Sequence, residues 1–288
     1  MKSVLSQTFS DWVHVIVNDG GDPAVLEAVI EPSLQAYEGR LTVVHHVKSL
    51  GMEAASNAGI RASQSEFLVI HDDDDSWDSI FLERCHAFMT SGHQPLLATG
   101  KYGGVVTHSK RVLEKIVDQK VVYLRDEPFN EWMKSVSLFR LACSNTFPPI
   151  SFFFRRRVLE SVGYFREDLP VLGDWDFHLR VCSLYEIGVI PEAIACYHHR
   201  ISAKVGDYGN TVIAADSIHR TYENLYRNEA LRQDMEAGRL GIGFIMAISA
   251  HLESLHATVW PIAAFLDKLK GGRFSRALAT LMRKPRSL

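Results

Sequence analysis

Cysteine is scarce in this chain. Four occur in 288 residues (Cys85, Cys143, Cys182, Cys196) and none forms a CxxC pair, which excludes a disulfide-held scaffold and a zinc ribbon and makes a reducing compartment the default. No sign of charge dominates either. The 31 Lys+Arg stand against 34 Asp+Glu for a formal net charge of −3, so no nucleic-acid partner is expected. Long apolar runs are also missing: the best, Leu240 to Leu266, is interrupted by His251, Glu253, His256 and Pro261, whereas a membrane-spanning helix needs about 20 mostly apolar residues. The amino end MKSVLSQTFSDWVHV has neither the apolar core nor the small-residue cleavage site of a secretory leader, and a cytoplasmic protein is expected. Internal repeats and low-complexity tracts are absent. What remains, 47% hydrophobic and 23% charged residues, is globular composition with enough apolar material for one large core or two modest ones.

The run WVHVIV is β-branched and ends in NDGGDP, a cluster of turn residues that closes a strand. A helix is predicted over roughly Ala24 to Tyr37, followed by a strand in LTVVHHV, a helix in MEAASNAGIRAS and a buried strand at Glu66 to Ile70. Strands alternating with helices predict an α/β fold with a parallel, doubly covered sheet. In such sheets the ligand crevice lies outside the carboxyl ends of the strands, where both NDGGD and HDDDDSW fall. Beyond about Lys101 the pattern loosens: SFFFRR reads as a strand, GDWDFHLRV as a helix, and CYHHRIS as strand or loop. From Thr211 the chain reads as mostly helical. Its last stretch, Asp267 to Leu288, carries seven basic residues against one acid, and is either a solvated basic helix or a peripheral contact with the acidic inner face of a membrane.

Four sets of residues carry candidate chemistry. Adjacent aspartates in HDDDDSW raise one another's pKa and resist burial unless a cation joins them; hard carboxylate oxygens suit Mg²⁺ or Mn²⁺ completed by a substrate diphosphate, the alternative being a solvated acidic turn. Asp19, at the end of the first strand, either accepts hydrogen bonds from a nucleotide or closes a tight turn. Asp174, in GDWD, either caps a helix or takes a proton from an attacking hydroxyl. His198 and His199 point to opposite faces of any strand they share, so at most one is expected to reach a metal or diphosphate.

In order, SVLSQTFSDWVHVIVNDGGD, LGMEAASNAGI, SEFLVIHDDDDSW and LPVLGDWDFHLRV resemble the family 2 glycosyltransferases of the GT-A fold, over roughly Met1 to Ile201. The resemblance implies a GT-A type, mostly parallel Rossmann-like sheet flanked by helices. It places the glycosyltransferase domain at residues 1–205, with a nucleotide-binding half at 1–100 and an acceptor half at 101–205, followed by a helical extension at 206–288. It also implies an inverting enzyme that moves a sugar from a nucleotide-sugar donor, a UDP-sugar first, to a hydroxyl of a glycan or lipid-linked acceptor. Asp19 matches the aspartate that contacts the base, with Asn18 replacing the acidic residue usual before it. The metal motif falls on Asp72, Asp73 and Asp74: Asp74 is the implied ligand of Mn²⁺ or Mg²⁺, Asp72 approaches the ribose or the metal, Asp73 lines the donor, and His199 is the candidate further ligand. Asp174 takes the place of the catalytic base, with Gly173 where a Glu is usual, and Ser56 stands where many members have Arg.

The strand and loop resembling SVIIPTYN that open the family pattern have no counterpart, and the chain begins inside the helix that follows them. A missing central strand leaves backbone groups unpaired on both of its neighbours. An upstream start is the expected explanation, with a strand from a partner chain, a homo-oligomer included, or a decayed copy as the others. Two rival functions stand beside the first: a sugar nucleotidyltransferase, for which a Gly-rich phosphate loop is wanting, and a non-catalytic glycan-binding or assembly subunit.

Overall fold

The computed structural model describes residues 1–91, 101–118, 120–200 and 216–271. A short α1 (Lys2–Leu5) leads to β1 (His14–Asp19), whose β-branched residues pair in parallel with β2 (Leu41–His46), His14 opposite Leu41 and Asp19 opposite His46. Between them Asp22 accepts the Ala24 N–H, and Pro23, needing no hydrogen bond of its own, starts α2 (Pro23–Ile30). The helix expected up to Tyr37 breaks at Pro32: a 3₁₀ turn at Glu31–Ser33 hands over to α3 (Leu34–Tyr37), because proline cannot donate within a helix interior. After β2, α4 (Met52–Arg61) starts from Gly51, whose φ of +100° suits glycine.

The second sheet takes β3 (Phe67–Val69), β4 (Ser76–Trp77), β5 (Tyr102–Val117), β6 (Lys120–Pro128), β7 (Phe152–Arg155) and β8 (Glu186–Arg200). Its order is β3-β7-β5-β8-β4, with β6 paired to β5. The class is α/β, as expected, but the pairing is more mixed than the alternation implies. Among the described residues only β1–β2 and β5–β8 run parallel, while β3–β7, β5–β7, β4–β8 and β5–β6 are antiparallel. Parallel pairs need crossover connections and direct returns do not; β5 passes into β6 through a turn that includes Asp118 at φ +49°.

Helices α5 (Phe81–Thr90), α6 (Leu138–Cys143), α7 (Val158–Val162) and α8 (Gly173–Leu184) flank this sheet, and α9 (Asp216–Glu236) and α10 (Ile242–Gly271) follow it. Strand alternation divides the core in two. Val106, Phe152 and Phe154 join Trp175, Phe177 and Leu179 on one face, whereas Val105 and Phe153 join Trp77, Phe81 and Ala195 on the other. Each such buried side chain contributes about 1.5–3 kcal/mol. Tyr226, Ala230 and Met246, from α9 and α10, belong to the first of these clusters. Tyr226 Oη also donates to Asp176 at 2.9 Å. The boundary expected at residues 205–206 and the basic tail beyond Gly271 lie outside the described residues. No described helix is long and apolar enough to cross a membrane.

Among the described residues β1 pairs with β2 alone and β3 with β7 alone. Between their unpaired edges runs a cleft of about 1100 Å³, lined by His14–Asp19, by Phe67–Val69, by the Met52, Ala55, Ser56 and Gly59 face of α4, and by Met1 and Val4.

Candidate active site

The acidic run leaves β3 at its carboxyl end and turns at once, the Asp75 N–H donating to the Asp72 carbonyl at 3.2 Å. Burial, and after it the carboxylates of Asp74, Asp174, Asp73 and Glu53, push the Asp72 carboxyl up to about 7. Asp73 is exposed. Asp75 is 6% exposed and, chiefly through burial, is pushed up to about 9; its Oδ1 accepts the His198 N–H at 2.9 Å and its Oδ2 has no partner. Burial and Asp73 raise Asp74, against the pull of Arg200, whose Nη1 lies 3.6 Å from Asp74 Oδ2.

The two histidines diverge as alternation requires. His198 faces the acidic run, its Nε2 2.8 Å from Ser76 Oγ and its Nδ1 2.8 Å from Glu114 Oε1. His199 packs edge-on against Tyr197 at 4.3 Å, with Nε2 buried and unpartnered. Burial, then Arg111 and His198, lower it to about 4.

Asp174 comes from the far side, in the first turn of α8. Its Oδ1 accepts the Trp175 N–H at 2.7 Å and its Oδ2 accepts Asn145 Nδ2 at 2.6 Å, while Asn145 Oδ1 lies 3.1 Å from His178 Nδ1. Burial raises the Asp174 carboxyl against these hydrogen bonds. Asp176, two residues on, serves the fold: it accepts from Arg180 Nε and Nη2 at 2.8 and 2.6 Å and from Tyr226. Asp174, at the start of α8, lies near enough to Asp72, beyond the end of β3, for its charge to help raise the Asp72 carboxyl.

The sequence model of the family described as glycosyl transferase family 2 matches residues 1–163 of this chain. The chain belongs to that family. It is a glycosyltransferase, as its four motifs imply. It is 26% identical over 204 residues to the uncharacterized glycosyltransferase YwdF of Bacillus subtilis, a match covering 68% of this chain and 67% of that one. Among solved structures, the mannosyltransferase PcManGT of Pyrobaculum calidifontis, in complex with GDP-Man and Mn²⁺, shares the fold at a TM-score of 0.52 and 16% identity, over 97% of this chain and 77% of that one. Against residues 1–349 of S. aureus TarS the chain spans 55% of the solved length, at 18% identity and a TM-score of 0.49.

In this glycosyltransferase Asp19 is already occupied. Its Oδ1 meets His46 Nδ1 at 2.6 Å and accepts the Leu50 N–H at 2.9 Å, and its Oδ2 accepts from Ser49 Oγ at 2.7 Å and the Gly51 N–H at 2.9 Å. Burial alone would raise this carboxyl, but His46, Leu50, Ser49 and Gly51 together hold it well below the ordinary range. Asp19 thereby ties the turn that opens α4 to the end of β1. Asn18 bridges to Gly21, and Ser56 lines the cleft.

Among the described residues no three His, Cys, Asp or Glu form a group that could hold a metal ion. The donor set still suits a hard cation bound through one or two carboxylates: mutually raised aspartates and a buried, unpartnered Asp75 oxygen are groups that a divalent ion would satisfy, with waters and phosphates as its remaining ligands. Beside these aspartates stand Glu53, which the LGMEAASNAGI motif contains without singling it out, and Asn145 and Arg200, which lie in no linear motif. Only Arg200 leaves a trace, as a cation ending the YHHR run.

Proposed function

We propose that this glycosyltransferase is inverting, and that it moves a sugar from a nucleotide-sugar donor, a UDP-sugar in the first instance, to a hydroxyl of a glycan or lipid-linked acceptor. The observation that supports this reading is that Asp174 lies near enough to Asp72 for its charge to help raise the Asp72 carboxyl. One side of the site is then a base and the other a seat for a diphosphate. Asp174 takes the acceptor proton as the hydroxyl oxygen attacks the anomeric carbon, and its oxygens are fixed for that task by Asn145 and the Trp175 N–H. A carboxyl raised by burial is a stronger base than a solvated one. Arg200, beside Asp74, places a guanidinium where negative charge gathers on the leaving diphosphate. Asp74, with Asp72 or a histidine, would hold a divalent cation, and that ion would supply Lewis-acid neutralisation of the charge. Attack from the face opposite the leaving group inverts the anomeric centre in one displacement.

The test is Asp174→Asn. Nucleoside diphosphate release should fall about 10²–10⁴-fold, the worth of a general base, while calorimetric titration shows donor binding retained. Equal loss of both would make Asp174 structural. The cleft between β1 and β3 favours one second reading, an assembly or glycan-binding subunit. Glycan binding indifferent to both nucleotide and metal would select it.

A further inference from the structure

The helix that bears Asp174 starts without a cap of its own. Leu172, at its N-cap, sits in the left-handed region at φ +71° and gives no side-chain hydrogen bond, so the first N–H groups of α8 need acceptors from elsewhere. Glu53 supplies one. It lies in the first turn of α4, on the buried face that also carries Asn57, and it is 6% exposed. Its carboxyl lies against Gly173, close enough for the Gly173 N–H to pull the Glu53 carboxyl down against the stronger upward push of burial. The side chain also fills the volume above the Gly173 Cα: a Cβ built there would meet Glu53 Cγ and Oε1 at 2.3 Å and Cδ at 2.6 Å, distances no real contact allows. Residues 53 and 173 thus share one space, and in this chain the carboxylate enters it from α4.

We propose that Glu53 is a positioning residue for Asp174, reaching across the site to cap the helix that presents it, and that glycine at 173 is required by Glu53. The catalytic part of this role rests on reading Asp174 as the base; the contact does not. Because Asp19 fixes Leu50 and Gly51, three residues or fewer before Glu53, the two carboxylates form one relay from the end of β1 to the start of α8. A change in the 49–51 turn is thereby passed to Asp174.

The experiment is a double-mutant cycle read by thermal melting and by steady-state kinetics of nucleoside diphosphate release. Gly173→Ala alone should lower the melting temperature sharply, whereas the same change in a Glu53→Ala background should cost far less, so that the two shifts are strongly non-additive. Glu53→Gln keeps both the shape and an oxygen acceptor for the Gly173 N–H, and should melt close to the native chain. In kinetics, Glu53→Ala should lower kcat at least tenfold with the donor KM held within about twofold, and Glu53→Ala/Gly173→Glu, which returns a carboxylate from the other side, should recover part of that loss. Additive melting shifts would overturn the shared-space contact. A Glu53→Ala variant with native kcat, or equal losses through kcat and KM, would overturn the positioning role. The melting cycle needs neither donor nor acceptor, so absence of transfer by the native chain would count against the functional reading and not against the contact.

Discussion

Asp19 offers a test in which the sign of a pH effect is fixed in advance. Its two oxygens meet one ring nitrogen, one hydroxyl and two backbone N–H groups. Asp19→Asn keeps one oxygen and turns an amide NH₂ toward groups that are themselves donors. Hydrogen bonds to a charged acceptor are worth about 1.5–3 kcal/mol each, and two of the four are forfeited. The side chain is 21% exposed, so screening by water reduces the sum, and about 3 kcal/mol is the expected loss near neutral pH. At about 2–4 °C per kcal/mol for a chain of this size, the melting temperature should drop by roughly 6–12 °C. The folded carboxyl is held below its ordinary value. Its stabilisation is therefore complete above the ordinary carboxylate range and disappears as pH falls through the depressed folded value. Thermal melts of both proteins from pH 7 down to pH 3 check this: the native chain should begin to lose its advantage as pH falls below the ordinary carboxylate range, so the gap is widest at neutral pH and narrower, though not closed, at pH 3. A gap that stays constant over this range, or one under about 1 °C at pH 7, would refute the argument.

Other outcomes follow from the same geometry. UDP together with Mn²⁺ should raise the melting temperature, by the equivalent of about 2.7 kcal/mol at a hundredfold excess over Kd, and Asp74→Ala should abolish the shift; a shift that survives EDTA would remove the metal from donor binding, and a larger shift with GDP would change the donor. Asp176→Ala takes from Tyr226 its acceptor and from Arg180 its carboxylate partner, leaving Arg180 the Val162 and Tyr164 carbonyls, and should cost about 1–3 kcal/mol in chemical denaturation, with Tyr226→Phe costing about 1 kcal/mol. A chain extended ahead of Met1 by one strand-forming segment should melt higher than the chain without it, because paired edges replace unpaired ones; a proline-scrambled extension is the control, and equal melting of the two would mean that the cleft is not a strand site.

The parts of the fold that were legible in the sequence are those that repeat with a local period. HVIVND and LTVVHH announce strands by their β-branched residues, and the acidic run declares its place by following an apolar strand. The break at Pro32 was written in the helix that hides it. Strand direction was not, since β4 and β7 are two and four residues long and nothing local tells a crossover from a direct return. In the site, the aspartates announce themselves by type and crowding. Glu53 does not, because its significance lies in an empty position 120 residues away, and a buried Glu in a helix reads like any solvated one. Asn145 is a loop asparagine until α8 is set beside it.

The cleft between β1 and β3 has a practical consequence for handling the protein. Each edge presents a row of amide and carbonyl groups to the same gap, and edges of that kind recruit strands from whatever chain supplies them. At high concentration the purified chain should therefore be prone to strand-mediated self-association. A short peptide added in excess should compete with that process, so that one polypeptide and one peptide behave as the two halves of a split protein whose assembly is controlled by dose.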